Sequence, residues 1–382
     1  MRTIIIWGAG RIGRGFVADL FSEAEDFRTV FVDLDAELIS QLNKTGRYTI
    51  AKATRSGIRE KCLESDFEAV HTGNMVRLSE LFGQPELLLD IAVHEPKLSQ
   101  VADMLVPLIE RRAKTGLSMD VMMNVNMHRP DERFRSLMRE RLTGPVLDYF
   151  DSQVGVTGIF AMCISPFAPD WLRDKDPLAI WNNGWETQSV SRQAFKCALP
   201  QAPRLLFTDD IEREETRKLY TLNMSHALLS YLGLPLGLKT SLEAVRSKEL
   251  YGILSQALTE ACTGLERRFG FGGLEMAVWK EKIISLLENP YIEDDLKRLG
   301  ADSRRKLSAG DRLLGPARLS LQAEKKPVCL AKAIRAGFEY ENPDEGTQAV
   351  RQFYKAHGLA ASLKEFCGLE PDEELFKLIL SP

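Results

Sequence analysis

Residues 3–13 read Thr3-Ile4-Ile5-Ile6-Trp7-Gly8-Ala9-Gly10-Arg11-Ile12-Gly13, a short apolar run followed by glycines spaced Gly-x-Gly-x-x-Gly. The run suits a parallel strand buried on both faces. Gly8 then permits a tight turn, Gly10 the close approach of a pyrophosphate, and Gly13 close packing of helix on strand. The amphipathic stretch Arg14–Ala24 opens a helix whose N-terminal partial positive charge favours phosphate. Asp33 ends the next apolar run, twenty residues after Gly13. There a carboxylate accepts hydrogen bonds from adenosine ribose hydroxyls and repels a 2′-phosphate. The segment therefore predicts a dinucleotide site formed by Gly8, Ala9, Gly10, Arg11, Ile12, Gly13 and Asp33, with NAD as cofactor. A purely structural glycine turn is the alternative. Arg14 falls either beside the phosphates or on the solvated face of the helix.

Working outward, further apolar runs at Thr29–Asp33, Glu86–Val93, Met119–Asn126 and Val146–Phe150 alternate with amphipathic stretches such as Lys97–Arg112. That order predicts a doubly wound, mostly parallel sheet. Tyr48–Val70 reads as an antiparallel insertion and Ala179–Val190 as an extension of the sheet. From Asp210 the texture turns helical: Glu212–Leu232, Val245–Phe269, Gly273–Leu287, Lys326–Gly337, Asp344–His357 and Pro371–Leu380. The expected architecture is an N-terminal α/β Rossmann domain, residues 1–203, and an all-α substrate-binding and catalytic domain, residues 204–382. The boundary is placed in the proline-rich passage Leu199–Arg204.

Composition excludes several classes. A net charge of −4 gives nucleic acid and anionic membranes no electrostatic footing. No apolar run is long enough to span a bilayer, and the first strand does not resemble a signal peptide. The six cysteines lack CxxC spacing and the five histidines lack an i,i+4 pair, so neither zinc nor a disulfide framework is expected. A reducing cytoplasm fits such a chain.

A second informative segment is Lys218-Leu219-Tyr220-Thr221-Leu222-Asn223-Met224-Ser225-His226. On a regular helix His226 lies roughly 80° and Asn223 roughly 140° around from Lys218, so all three can border one cleft. Each has an ordinary alternative: a solvated lysine, an asparagine bonded to a loop, a core histidine in line with Leu219, Leu222 and Leu229. Beside a dinucleotide turn, however, the trio suits alcohol oxidation without a metal. Lys218 would serve as base if its pKa fell from about 10.4 towards about 7–8, Asn223 would donate to the oxyanion, and His226 would orient the hydroxyl.

These residues resemble the polyol-specific long-chain dehydrogenases, marked by Lys-x4-Asn-x2-His. Gly8–Phe16, Arg217–Gly233, Glu288–Asp295 and Arg305–Leu313 carry the likeness. It implies a Rossmann domain joined to a helical one, usually in a monomer, and NAD(H)-dependent interconversion of mannitol 1-phosphate and fructose 6-phosphate. It implies Lys218 as general acid/base, Asn223 at the oxyanion and His226 on substrate. Asn126 matches a further family asparagine, although Val125 stands where the family has an acidic residue. The family's Val-Asp-Arg-Ile is replaced by Val156-Thr157-Gly158-Ile159. That departure leaves open another ketose or sugar acid as substrate, or an inactive NADH-binding sensor. For a substrate phosphate the expected partners are Arg305 and Lys306, in the basic group that also holds Arg304 and Arg312; a solvated basic face is the alternative.

Overall fold

The computed structural model describes residues 1–64, 67–127 and 129–381. It divides into two compact units, Met1–Glu215 and Thr216–Pro382.

In the first unit β1 (Arg2–Trp7), β2 (Phe27–Asp33), β3 (Arg47–Thr54), β4 (Gly57–Glu64), β5 (Glu68–His71), β6 (Leu87–Ile91), β7 (Met119–Met123), β8 (Val154–Phe160), β9 (Ile180–Asn182), β10 (Gln188–Ser191) and β11 (Leu205–Thr208) form two sheets. The larger has the order β11-β10-β8-β7-β6-β1-β2-β5. Its six parallel strands, taken in chain order, lie as 3-2-1-4-5-6, the doubly wound dinucleotide-binding order. Neighbouring residues of each central strand feed opposite cores. Ile5, Trp7, Val32, Leu89 and Val121 pack with the helices Leu98–Ala113 and Pro130–Arg139. Ile4, Ile6, Phe31, Leu88 and Met122 pack with helix residues Phe16, Val17 and Leu20 and with Tyr48 and Ile180 of the smaller sheet. Burial on both faces is why these strands read as unbroken apolar runs rather than alternating ones.

In this unit three expectations are corrected. Val146–Phe150 is helical, inside Gly144–Gln153, and the strand follows it at β8. Pro145 sits in the first helical turn, where its missing N–H costs nothing; a five-residue apolar run alone does not distinguish a strand from a buried helix segment. Within Tyr48–Val70, β3 and β4 are antiparallel, but β5 joins the main sheet parallel to β2; Ser65 and Asp66 lie outside the described residues. Ala179–Val190 serves both sheets, β9 pairing with β3 and β10 with β8.

The smaller sheet is pinned to the first helix electrostatically. Asp19, 2% exposed, accepts from Lys52 at 2.8 Å, Lys61 at 2.7 Å and Arg204 at 2.8 Å. Burial opposes its charge, yet these three cations hold its carboxyl down at about 2.

The second unit is helical. Met224–Gly233 is buried on nearly every side, so its sequence shows little amphipathic contrast. Lys248–Phe269 runs from Ser247, and the carboxylate of Glu260 within it receives the backbone N–H groups of Cys329 and Leu330 at 3.1 and 3.0 Å. That carboxylate satisfies orphan donors at the start of Val328–Glu339. The expected helix Val245–Phe269 is in fact two, broken at Ser247. Asp344–His357 continues through a kink at Gly358 to Cys367.

Candidate functional site

At the end of β1 the chain turns under the constraints expected of its glycines. Gly8 has φ +105°, and a Cβ there would lie 2.4 Å from the Ala92 carbonyl oxygen. At Gly13 a Cβ would lie 2.1 Å from the Gly8 oxygen and 2.9 Å from Ile6. At Gly10 nothing lies within 4 Å of such a Cβ. Gly8 and Gly13 are therefore required by the protein's own packing, whereas Gly10 faces open space that leaves room for the approach of a pyrophosphate. The Asp33 carboxylate accepts the Ala9 N–H at 2.8 Å and the Asp35 N–H at 3.0 Å. Those bonds fix it beside the turn with lone pairs to spare for ribose hydroxyls. Arg11 lies over the Phe167 ring at 4.1 Å, and Ile12 packs on the core beneath. The residues thus fit a dinucleotide.

Arg14 is not on a solvated face. It is buried, donating to the Ala9 oxygen at 2.7 Å and the Leu178 oxygen at 2.5 Å, and burial lowers its pKa. It braces the turn from behind rather than meeting solvent.

Beyond β7, Asn126 is exposed, while Val125 is buried in the core. The apolar side chain at 125 is thus a packing residue. Asn124 donates to the buried carboxyl of Asp90 and, at 3.2 Å, to Gln188. No sequence signal marked Asp90. Burial pushes its pKa up to about 8, with the Asn124 bond only partly opposing. At Thr157, where the family has Asp, the hydroxyl accepts the Ser191 N–H at 3.0 Å and ties β8 to β10. At Gly158, where the family has Arg, a Cβ would lie 2.4 Å from a Glu215 carboxylate oxygen. A carboxylate occupies that space here.

In the second unit Lys218, Asn223 and His226 share one continuous helical run, but the run is not regular. Leu219–Asn223 is a π-helical turn, with the Met224 N–H reaching the Leu219 oxygen five residues back. The wider turn advances less per residue than an α turn, so it brings Lys218 and Asn223 closer to one face than the roughly 140° of a regular helix. His226 follows three residues later on the same side. All three are half-buried, whereas Thr221, Leu222, Ser225 and Leu229 are at most 2% exposed. His226 therefore leaves the line of core leucines.

Around His226 the unit gathers charge. Burial pushes its pKa down to about 4; Asp294 opposes this, and Arg312, Arg298 and Lys306 reinforce it. The imidazole is neutral at pH 7 and can act as both hydrogen-bond donor and acceptor. Lys306 is 4% exposed, bonded to the Ala301 oxygen, and burial with Arg312 and Arg305 pushes it down to about 7. Arg312 is buried and bonded to Asp311 at 2.7 Å. Arg305 differs from its neighbour: it is exposed and pairs with Asp302 at 2.8 Å. Sequence order put Arg305 and Lys306 together; the helix carrying them turns one outward and the other inward.

Among the described residues no group of three or more His, Cys, Asp or Glu is placed to hold a metal, and no helix is long and apolar enough to cross a membrane.

Sequence comparison matches residues 2–200 to the Mannitol dehydrogenase Rossmann domain and residues 210–364 to the Mannitol dehydrogenase C-terminal domain. The chain belongs to the mannitol dehydrogenase family. It is an oxidoreductase of that family. Similar relatives include the mannitol-1-phosphate 5-dehydrogenase of Bacillus licheniformis, 29% identical over 98% of both chains, and that of Bacillus subtilis, 28% identical over 98% of this chain and 97% of the relative. Among solved structures, a D-sorbitol dehydrogenase in substrate-free form aligns with TM-score 0.84 at 16% identity, over 98% of this chain and 91% of that one. Mannitol 2-dehydrogenase of Pseudomonas fluorescens, in a ternary complex with NAD and D-mannitol, aligns with TM-score 0.75 at 16% identity, over 99% and 90%. At such identities these two speak for the fold.

Proposed function

We propose that the protein interconverts mannitol 1-phosphate and fructose 6-phosphate, using NAD(H) and no metal. The observation that carries the substrate is the full-length match to relatives named as mannitol-1-phosphate 5-dehydrogenases. What supports the chemistry is that Lys218, Asn223 and His226, all half-buried, lie along one helical run that passes through a π turn. The Rossmann half, assigned residues 1–203, holds the cofactor through Gly8, Ala9, Gly10, Arg11, Ile12, Gly13 and Asp33. The helical unit, Thr216–Pro382 against the 204–382 expected, holds the acid/base.

NAD⁺, when bound, supplies the hydride acceptor. Lys218 takes the proton of the reacting hydroxyl, and in the reverse direction returns it to the carbonyl oxygen. Asn223 donates its amide to the oxygen as negative charge develops. The neutral imidazole of His226 orients the hydroxyl, and Asn126 binds a substrate hydroxyl. Lys306 and Arg305 receive the phosphate. A dianion arriving beside Lys306 raises that lysine's pKa, so phosphate binding at neutral pH takes up a proton.

A panel of fructose 6-phosphate, fructose and uronate ketoses, read by loss of NADH absorbance, tests this reading. Preference for fructose 6-phosphate is expected; preference for an unphosphorylated ketose or a sugar acid would overturn it.

A further inference from the structure

The π turn between Lys218 and Asn223 is an unusual backbone state, and one neighbouring helix is anchored on both sides of Lys218. Two buried hydroxyls bond to carbonyls of this run, one of which, that of Thr221, also takes the Met224 N–H. Thr221 Oγ1 donates to the Arg217 oxygen at 2.6 Å, and Ser225 Oγ donates to the Thr221 oxygen at 2.8 Å. The Thr221 hydroxyl is itself fixed from outside the helix, accepting the indole N–H of Trp279 at 3.0 Å. The same indole lies 4.0 Å from the Arg217 guanidinium, which has Phe271 at 4.7 Å and pairs with Glu275 at 2.7 Å. Trp279 and Glu275 belong to one helix, Gly273–Leu287. That helix grips the residue before Lys218 and the residue three after it.

We infer that Thr221 and Trp279 are positioning residues, which hold the widened turn and so bring the Lys218 amine towards the face of the Asn223 amide. Neither side chain carries chemistry of its own: Thr221 is wholly buried and Trp279 nearly so. Their effect on turnover passes through the backbone between Lys218 and Asn223. In a regular α turn those two groups diverge around the helix, and the proton acceptor and the oxyanion donor no longer face one oxygen. The inference rests on the reading of Lys218 as acid/base.

The test compares Thr221→Val, which keeps the shape and removes the hydroxyl, with Thr221→Ser, which keeps the hydroxyl. Thr221→Val should lower kcat about 10–100-fold, as a misplacement near 1 Å does, leave the Kd for NADH unchanged, and raise hydrogen exchange at the amides of residues 219–224. Thr221→Ser should return kcat to within about threefold of the parent, a shift below one tenfold step. Should Thr221→Val not fold, Trp279→Phe removes the donor while keeping a ring against Arg217, and the same loss of kcat with faster exchange is expected. Parent-like kcat in Thr221→Val, unchanged exchange, or failure of serine to restore turnover would each overturn the inference. Lys218→Ala is measured alongside. Full activity there would remove the acid/base reading itself, whereas its inactivity beside a fully active Thr221→Val would remove only the positioning claim.

Discussion

The turn after β1 and the Lys218–His226 run each pass through a five-residue π segment, Gly13–Val17 in one and Leu219–Asn223 in the other. They are built by opposite means. In the first, the conformation follows from missing side chains: Gly8 and Gly13 sit where a Cβ would collide with backbone. In the second, side chains are added: Thr221 and Ser225 bond to carbonyls of the run, and Trp279 anchors the Thr221 hydroxyl. A cofactor turn specified by glycines is visible in a short motif. An anchor such as Trp279, 58 residues from the Thr221 it holds, is not. The difference also predicts how each fails: the first by steric clash, the second by loss of alignment in a folded protein.

The largest effect should come from Lys218→Ala, which is expected to suppress turnover about 10²–10⁴-fold while NADH affinity stays near the parent value. Comparable turnover in this variant, measured at saturating ketose, would leave the second region without a chemical role.

The glycines of the first region separate next. Gly13→Ala should destabilise the fold by about 2–3 kcal/mol, because its methyl has no room beside the Gly8 oxygen. Gly10→Ala should leave stability within about 0.5 kcal/mol but weaken NADH binding about tenfold, or about 1.4 kcal/mol. Denaturant unfolding and NADH fluorescence titration read the two quantities. Equal losses of stability in both variants would show that Gly10 too serves packing rather than cofactor.

Asp90 offers a smaller, pH-dependent effect on the scaffold beside the first region. Its folded pKa, about 8, is raised above the carboxylate value of 3.8, so the neutral acid is favoured by folding. Its contribution is complete below pH 4 and is lost as pH rises towards and through 8. Ile6 and Met122 flank it in register, and Asn124 is its hydrogen-bond partner, so no charge on those neighbours compensates ionisation. Asp90→Asn should therefore melt about 2–4 °C above the parent at pH 8 and nearly with it at pH 4. A pH-independent difference would contradict the shift.

Arg305→Ala should have the smallest effect. An exposed arginine already paired with Asp302 contributes little. The KM for fructose 6-phosphate is expected to rise a few-fold, with NADH binding unchanged. An unaltered KM would leave Lys306 alone as the phosphate partner.

Much of the first region was legible because its information is local. The glycine spacing, the aspartate at the end of β2 and the two-faced apolar strands follow from backbone sterics and from burial on both sides of a sheet. Val146–Phe150 was misread because five apolar residues fit a strand and a buried helix face equally well. Arg14 and Asp90 could not be assigned for a different reason. An arginine in a helix and an aspartate in a strand acquire their character from what surrounds them, here two carbonyl oxygens and a dry interior.

The same division holds for the second region. The sequence by itself determined which groups are present along one helical segment: an amine, an amide and an imidazole. It also determined the family, through motifs spread along the chain. Only the tertiary structure decided that the turn between Lys218 and Asn223 is widened, that burial disfavours the charged form of His226, and that Lys306 faces inward while Arg305 faces solvent. Helical period and residue type are properties of a segment. Hydrogen-bond partners, dielectric environment and neighbouring charge belong to residues far apart in the chain, and they exist only once it has folded.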